Sequence, residues 1–153
     1  VMSASPGYTW SDVTDIVHRP IFTTKWLTWT PYSGTAASHG FSAVPASGLY
    51  TYRIEGETMT IVHRDAANGT SNATSFAVNA PMNAATITDL LVSAIGARVD
   101  NGTTGAGAAS IPSGSNVVTF YPNDHPAGST SWTNSGGKRM ITVTLSYPLT
   151  NKY

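Results

Sequence analysis

The side chains best equipped for chemistry are four histidines, His18, His39, His63 and His125, together with eight carboxylates and many hydroxyls. A helical zinc site needs a second ligand four residues from a histidine, and none of the four has one. No metal and no cofactor is expected. Serine is abundant, but the G-x-S-x-G elbow that would present one as a nucleophile is missing. Cysteine is absent, so there is no thiolate and no disulfide framework. Asp124 and His125 lie between Pro122 and Pro126 and form the best local acid–base pair, which reads as a rigid loop tip with polar ends rather than as a catalytic or ligand site. Glu55 and Glu57 flank Gly56 and read as solvent-facing charges at a hairpin rather than as a glycosidase pair. His63, on an alternating strand, reads as a core or interface residue. The chain is therefore read as non-enzymatic.

Binding chemistry offers more. Trp132 stands in a Ser- and Gly-rich stretch, where an exposed indole would stack on a sugar ring, with His125, Asp124 and Asn134 as neighbouring receptor or glycan contacts. On this reading a Trp132→Ala variant stays folded. Trp26 and Trp29 share a strand and are expected to fill core or subunit contacts instead. Basic and acidic residues are eight each, and the only adjacent basic pair is Lys138 with Arg139. Phosphate neutralisation needs a basic stripe, so nucleic acid is not an expected partner. The apolar stretch from Leu90 to Ala97 is far short of the roughly 20 residues of a membrane span, so no membrane insertion is expected. Sequons begin at Asn68, Asn72 and Asn101 and read as turn chemistry.

The elements that must position these residues are strands. Hydrophobic residues make up 41% and charged residues only 10%, against about 25% in an average domain, so Ser, Thr, Asn and Gly must carry solubility. Ile141, Val143, Leu145 and Tyr147 alternate with polar neighbours up to Pro148. In Glu57 to Asp65, Met59, Ile61 and His63 share one side. Further strands are expected at Lys25 to Thr30, Leu49 to Ile54, Thr74 to Asn79, Leu90 to Val99 and Asn116 to Tyr121. Asn68-Gly69 and Asn101-Gly102 favour turns with positive φ, and Glu55-Gly56 a tight hairpin. Asn101 to Gly114 and Asn123 to Gly137 read as long surface loops. With no strand-helix alternation, the fold class is all-β, an antiparallel β-sandwich of jelly-roll type.

Residues 1–24 differ in character. Ser11 to His18 suits one short capped helix stopped by Pro20, and the segment reads as an N-terminal attachment or docking arm with Trp10, Ile16 and Val17 as its apolar contacts. Residues 25–153 form the jelly-roll domain.

Several strings carry a resemblance across Trp26 to Tyr147. Trp26 to Pro31 (WLTWTP) and Tyr52 to Glu57 (YRIEGE) are similar to the opening strands of tail-fibre and minor virion domains of tailed phages. Gly69 to Phe76 (GTSNATSF), then Ala80-Pro81 and Ala84-Ala85, resembles a signature of the same proteins, and Trp132 to Arg139 leading to Leu145-Ser146-Tyr147 resembles their closing strand. The resemblance implies a jelly roll that forms a homotrimer, stands on the virion surface among other virion proteins, and contacts a host-surface saccharide or protein. The alternative is a capsid decoration or head-fibre protein that grips the shell through residues 1–24.

Overall fold

The computed structural model describes residues 25–32, 39–87, 91–124 and 131–149. The described residues form ten strands: β1 (Leu27–Thr28), β2 (Phe41–Ala43), β3 (Ala46–Glu55), β4 (Thr58–Ala67), β5 (Gly69–Ser71), β6 (Ala77–Asn79), β7 (Leu91–Asp100), β8 (Thr103–Pro112), β9 (Val117–Tyr121) and β10 (Gly137–Pro148). All pairings are antiparallel, in the order β1-β3-β4-β10-β7-β8-β9-β6, with β2 and β5 joined beside β10. The described residues are thus all-β, an antiparallel sheet curled into a half-barrel of eight strands. The arm residues Trp10, Ile16 and Val17 lie outside the described residues.

Local backbone chemistry explains the two long hairpins. Gly56 opens the two-residue turn between β3 and β4 at φ 57°, the position where a type II′ turn demands glycine. Between β7 and β8, Asn101 (φ 45°) and Gly102 (φ 81°) are both left-handed, as a type I′ turn requires and as Asn-Gly best tolerates. The other Asn-Gly step behaves differently. Asn68 and Gly69 have no positive φ, and Gly69 opens β5 because a Cβ there would lie 2.6 Å from the Pro45 ring.

The sheet curls at β10. Its first residues pair with β7 and β5, while Val143 to Pro148 pair with β4. The register shifts between Met140 and Thr142, leaving Ile141 as the extra residue of a bulge. Inward side chains are consequently Lys138 and Met140 before the bulge and Val143, Leu145 and Tyr147 after it. A strand that turns a sheet corner commonly does so at such a bulge. Gly96 of β7 lets β10 pass, since a Cβ there would meet the Thr142 carbonyl oxygen at 2.3 Å.

Inside the curl lie Phe41, Ile54, Met59, Ile61, Phe76, Phe120, Leu145 and Tyr147, all essentially inaccessible. Each such side chain contributes about 1.5–3 kcal/mol of burial. The rings meet edge to face, as Phe41 with Phe76 and Phe76 with Phe120 do at 4.7 Å between centroids.

One loop expectation is overturned. Asn101 to Gly114 is not a surface loop: most of it is β8, where Gly107 through Ile111 are buried. Its small side chains allow the Arg98 side chain to lie across Gly105 and Gly107, with Nε donating to the Pro122 carbonyl at 3.0 Å and Nη1 to that of Thr103 at 2.8 Å. The expected strand Lys25 to Thr30 shortens to Leu27–Thr28.

Candidate functional site

The half-barrel interior holds an unusual polar cluster. His63 and Asp65 sit two apart on β4, so both follow Met59 and Ile61 onto the inward face. The Asp65 carboxylate is the hub. Oδ1 accepts from the Tyr50 hydroxyl at 2.6 Å and the Tyr32 hydroxyl at 3.2 Å, and Oδ2 accepts the Met140 backbone N–H at 3.0 Å. That last bond answers a defect in the sheet. β10 pairs with β5 at Lys138 and with β4 from Val143 onward, so the stretch between them has no strand partner on that side. Asp65 supplies an acceptor there, and Arg139 bridges the same gap by donating from Nη1 to the Ala66 carbonyl at 2.6 Å.

His63 is fully buried, stacked on Tyr50 and tilted against Phe120, each at 4.8 Å between centroids. Its Nε2 lies 3.1 Å from Asp65 Oδ1, but the approach is not aligned for a hydrogen bond and neither ring nitrogen has an aligned partner. The contact is an electrostatic one. A proton relay would need a route to substrate, whereas this pair is walled by aromatic rings and has no exposure. The expectation of a core histidine is met at His63.

Lys138 is a further buried charged group. Its ammonium donates to the carbonyls of Ser75 at 2.6 Å and Ala73 at 2.7 Å and lies 4.9 Å from the Phe41 ring centroid. It thereby clamps the irregular connection between β5 and β6. Burial lowers its pKa to about 8, partly opposed by the Asp100 carboxylate. Burial, with Asp65 adding to it, raises the phenol pKa values of Tyr32 and Tyr50, and burial alone raises that of Tyr147.

These shifts give stability a definite pH profile. Folded Lys138 loses its proton near pH 8 and the unfolded side chain near 10.5, so in that window the unfolded state holds more protons and stability rises with pH. The three tyrosines work oppositely: above about pH 10 unfolded phenols ionise while the folded ones stay protonated, and stability falls. Urea midpoints are expected to climb from pH 8 to about pH 10 and then drop. In Lys138→Met the climb should disappear; a climb retained in that variant would assign it to another group.

One of the predicted contact residues, Trp132, is not where an exposed loop would put it. Trp132 is only 2% exposed; its Nε1–H donates to the Phe120 carbonyl at 2.8 Å and its ring stands edge-on to Phe76 at 5.3 Å. The expectation of an exposed indole at Trp132 is therefore corrected. The backbone N–H of neighbouring Thr133 and its hydroxyl both donate to the Asp100 carboxylate, holding this segment against the β7–β8 hairpin. Asn134 is exposed just before β10, and Asp124 is exposed after β9. His125 lies outside the described residues.

Among the described residues the exposed indole is Trp26 instead, at 42%. Of the two expected roles, core or subunit contact, Trp26 does not fill the core, while Trp29 is buried as expected. β1 reaches only two residues along β3, and among the described residues no strand lies beyond it on the side of Trp26. The Arg53 guanidinium carbon lies 5.0 Å from the Trp26 ring centroid, and Arg53 Nη2 pairs with Glu55 at 3.3 Å. Arg53 and Glu55 share the outward phase of β3 with Thr51. Next to them in register stand Thr58, Thr60 and Val62 of β4, then Ser146 opposite Thr60 and Thr144 opposite Val62 on β10, with Thr60 and Ser146 hydroxyls 2.8 Å apart. The outer face of this half of the sheet is a hydroxyl-rich surface with an aromatic–guanidinium pair at its margin. The signal for Asp65 was legible, an acid in phase with an apolar face; nothing local marked Trp26.

Among the described residues no group of three or more histidines and carboxylates could hold a metal ion, and no helix is long and apolar enough to cross a membrane. Comparison with protein-family models, characterised proteins and solved structures gives no match.

Proposed function

We propose that this chain is a non-enzymatic structural module of a tailed-phage particle, a jelly-roll-type domain displayed on the virion surface as a homotrimer and contacting the host surface in the manner of a tail-fibre domain. The resemblance over Trp26 to Tyr147 suggests the class. The observation that carries the non-enzymatic reading is the placement of the reactive side chains. His63, Asp65 and Lys138 are all interior and hold strands and connections together, while the hydroxyl-rich outer face leaves Trp26, Arg53 and Glu55 accessible. An indole beside a guanidinium and a carboxylate suits a saccharide, whose C–H face stacks on the ring while its hydroxyls meet the charged groups. The contact is thus assigned to Trp26 in place of Trp132.

The decoration reading, in which residues 1–24 grip the capsid shell through Trp10, Ile16 and Val17, gains from one observation: Trp132 is interior and gives the Ser- and Gly-rich loop no aromatic anchor. Gold-labelled antibody on intact particles separates the two. Labelling at the tail tip is expected, and labelling over the capsid would replace the first reading by the second. On a glycan array, Trp26→Ala should lose the signal of the parent protein while melting at the same temperature. An array signal indifferent to Trp26 would remove it from the contact.

A further inference from the structure

The chain contains two Asn-Gly steps, chemically alike and differently placed. In such a step the glycine amide nitrogen can attack the asparagine side-chain carbonyl carbon. A C–N bond forms, ammonia leaves with the displaced amide nitrogen, and the resulting succinimide is opened by water to aspartate or isoaspartate. Water is the only co-reactant. The reaction needs space around the glycine nitrogen and enough backbone freedom to close a five-membered ring.

At Asn68-Gly69 the structure denies both. Gly69 is buried and paired in the β5–β10 ladder opposite Lys138. The Pro45 ring and the Ala43 carbonyl oxygen stand within 2.7 Å of where its Cβ would be. At Asn101-Gly102 it leaves the glycine open. Both residues are exposed at the tip of the β7–β8 hairpin, and nothing lies within 4 Å of a Cβ built on Gly102. Asn101 already sits in the sparsely populated left-handed region at φ 45°, so opening the turn relieves a conformation that costs a non-glycine residue energy.

We infer that Asn101 is a site of spontaneous deamidation in the folded protein and that Asn68 is protected. The modification has a structural consequence. The Asn101 backbone N–H donates to the Gly137 carbonyl at 2.8 Å, and its side-chain oxygen occupies the space that a Cβ on Gly136 would need. Asp100 beside it holds Thr133. An isoaspartate at position 101 inserts a methylene into the backbone and sets a second carboxylate next to Asp100. The hairpin tip then loses its fit against the start of β10. This modification is independent of the virion assignment.

The test is peptide mass spectrometry of the folded protein aged at mildly alkaline pH. Trypsin places Asn101 in the peptide Val99 to Lys138 and Asn68 in the peptide Asp65 to Arg98. A mass gain localised to Asn101 by fragmentation is expected at least about tenfold faster than one at Asn68, because strand-paired Gly69 must first open locally. In urea the two steps should react at similar rates, and aged protein should melt lower than fresh protein. Conversion at Asn68 as fast as at Asn101 in the folded state, or no conversion at Asn101 while the urea sample reacts, would overturn the inference. An Asn101→Gln variant, which keeps the amide but closes the ring far more slowly, should not change melting temperature on ageing.

Discussion

Replacing Asp65 by alanine is expected to lower folding stability by about 3–5 kcal/mol, the range seen when one partner of a buried charged network is removed. Four groups lose their acceptor or electrostatic neighbour at once: the Tyr50 and Tyr32 hydroxyls, the Met140 N–H and the His63 ring. The buried Tyr50 hydroxyl and Met140 amide are left without an acceptor, and each unsatisfied buried group costs about 1–3 kcal/mol. Marginal domains hold only about 5–15 kcal/mol in total, so Asp65→Ala should be partly unfolded near body temperature. Asp65→Asn keeps a carbonyl acceptor and the side-chain volume, and its loss should be the smaller of the two. Urea unfolding followed by circular dichroism measures both. Should Asp65→Ala unfold within about 1 kcal/mol of the parent, an ordinary value for point mutants, the carboxylate would not be the hub of the interior.

The second large effect is at Trp132. Truncation of a buried tryptophan to alanine costs about 3–5 kcal/mol through lost transfer energy and the cavity left behind. Here it also strips the Phe120 carbonyl of its 2.8 Å indole donor and takes away the edge contact with Phe76. Trp132→Ala is therefore expected to melt well below the parent, the reverse of what a loop-exposed indole would give. Trp132→Phe, which refills most of the cavity but restores no donor, should recover part of the loss. Unchanged melting of Trp132→Ala would return the residue to the surface and reopen the loop as a contact. Trp26→Ala is the built-in comparison, since its half-exposed ring has far less burial to lose.

Why one tryptophan could be misplaced while β4 could be read correctly follows from where the information lies. β3, β4, β9 and the second half of β10 each present one face to the core and one to water, so their two-residue period is written along the chain. The hairpin turns were equally legible, because Gly56, Asn101 and Gly102 are suited to their φ values by their own covalent structure. β8 was not. Its run Thr103–Pro112 has hardly a bulky apolar residue, so burial leaves no hydrophobic trace, and it is a strand because β7 and β9 pair with both its edges. The bulge at Ile141 likewise reverses the inward phase of β10 without any local signal.

All-β class, hairpin turns and the inward side of the long two-faced strands were therefore decided within a few neighbouring residues, through backbone geometry and alternation. Trp132 buried and Trp26 exposed, Lys138 sealed inside and Asp65 capping the side of β10 that lacks a strand partner were decided by partners distant along the chain, 75 residues away for Met140 and Asp65. Burial is a property of what comes to lie against a side chain, and a loop tryptophan carries the same local neighbours whether or not Phe76 and Phe120 fold over it.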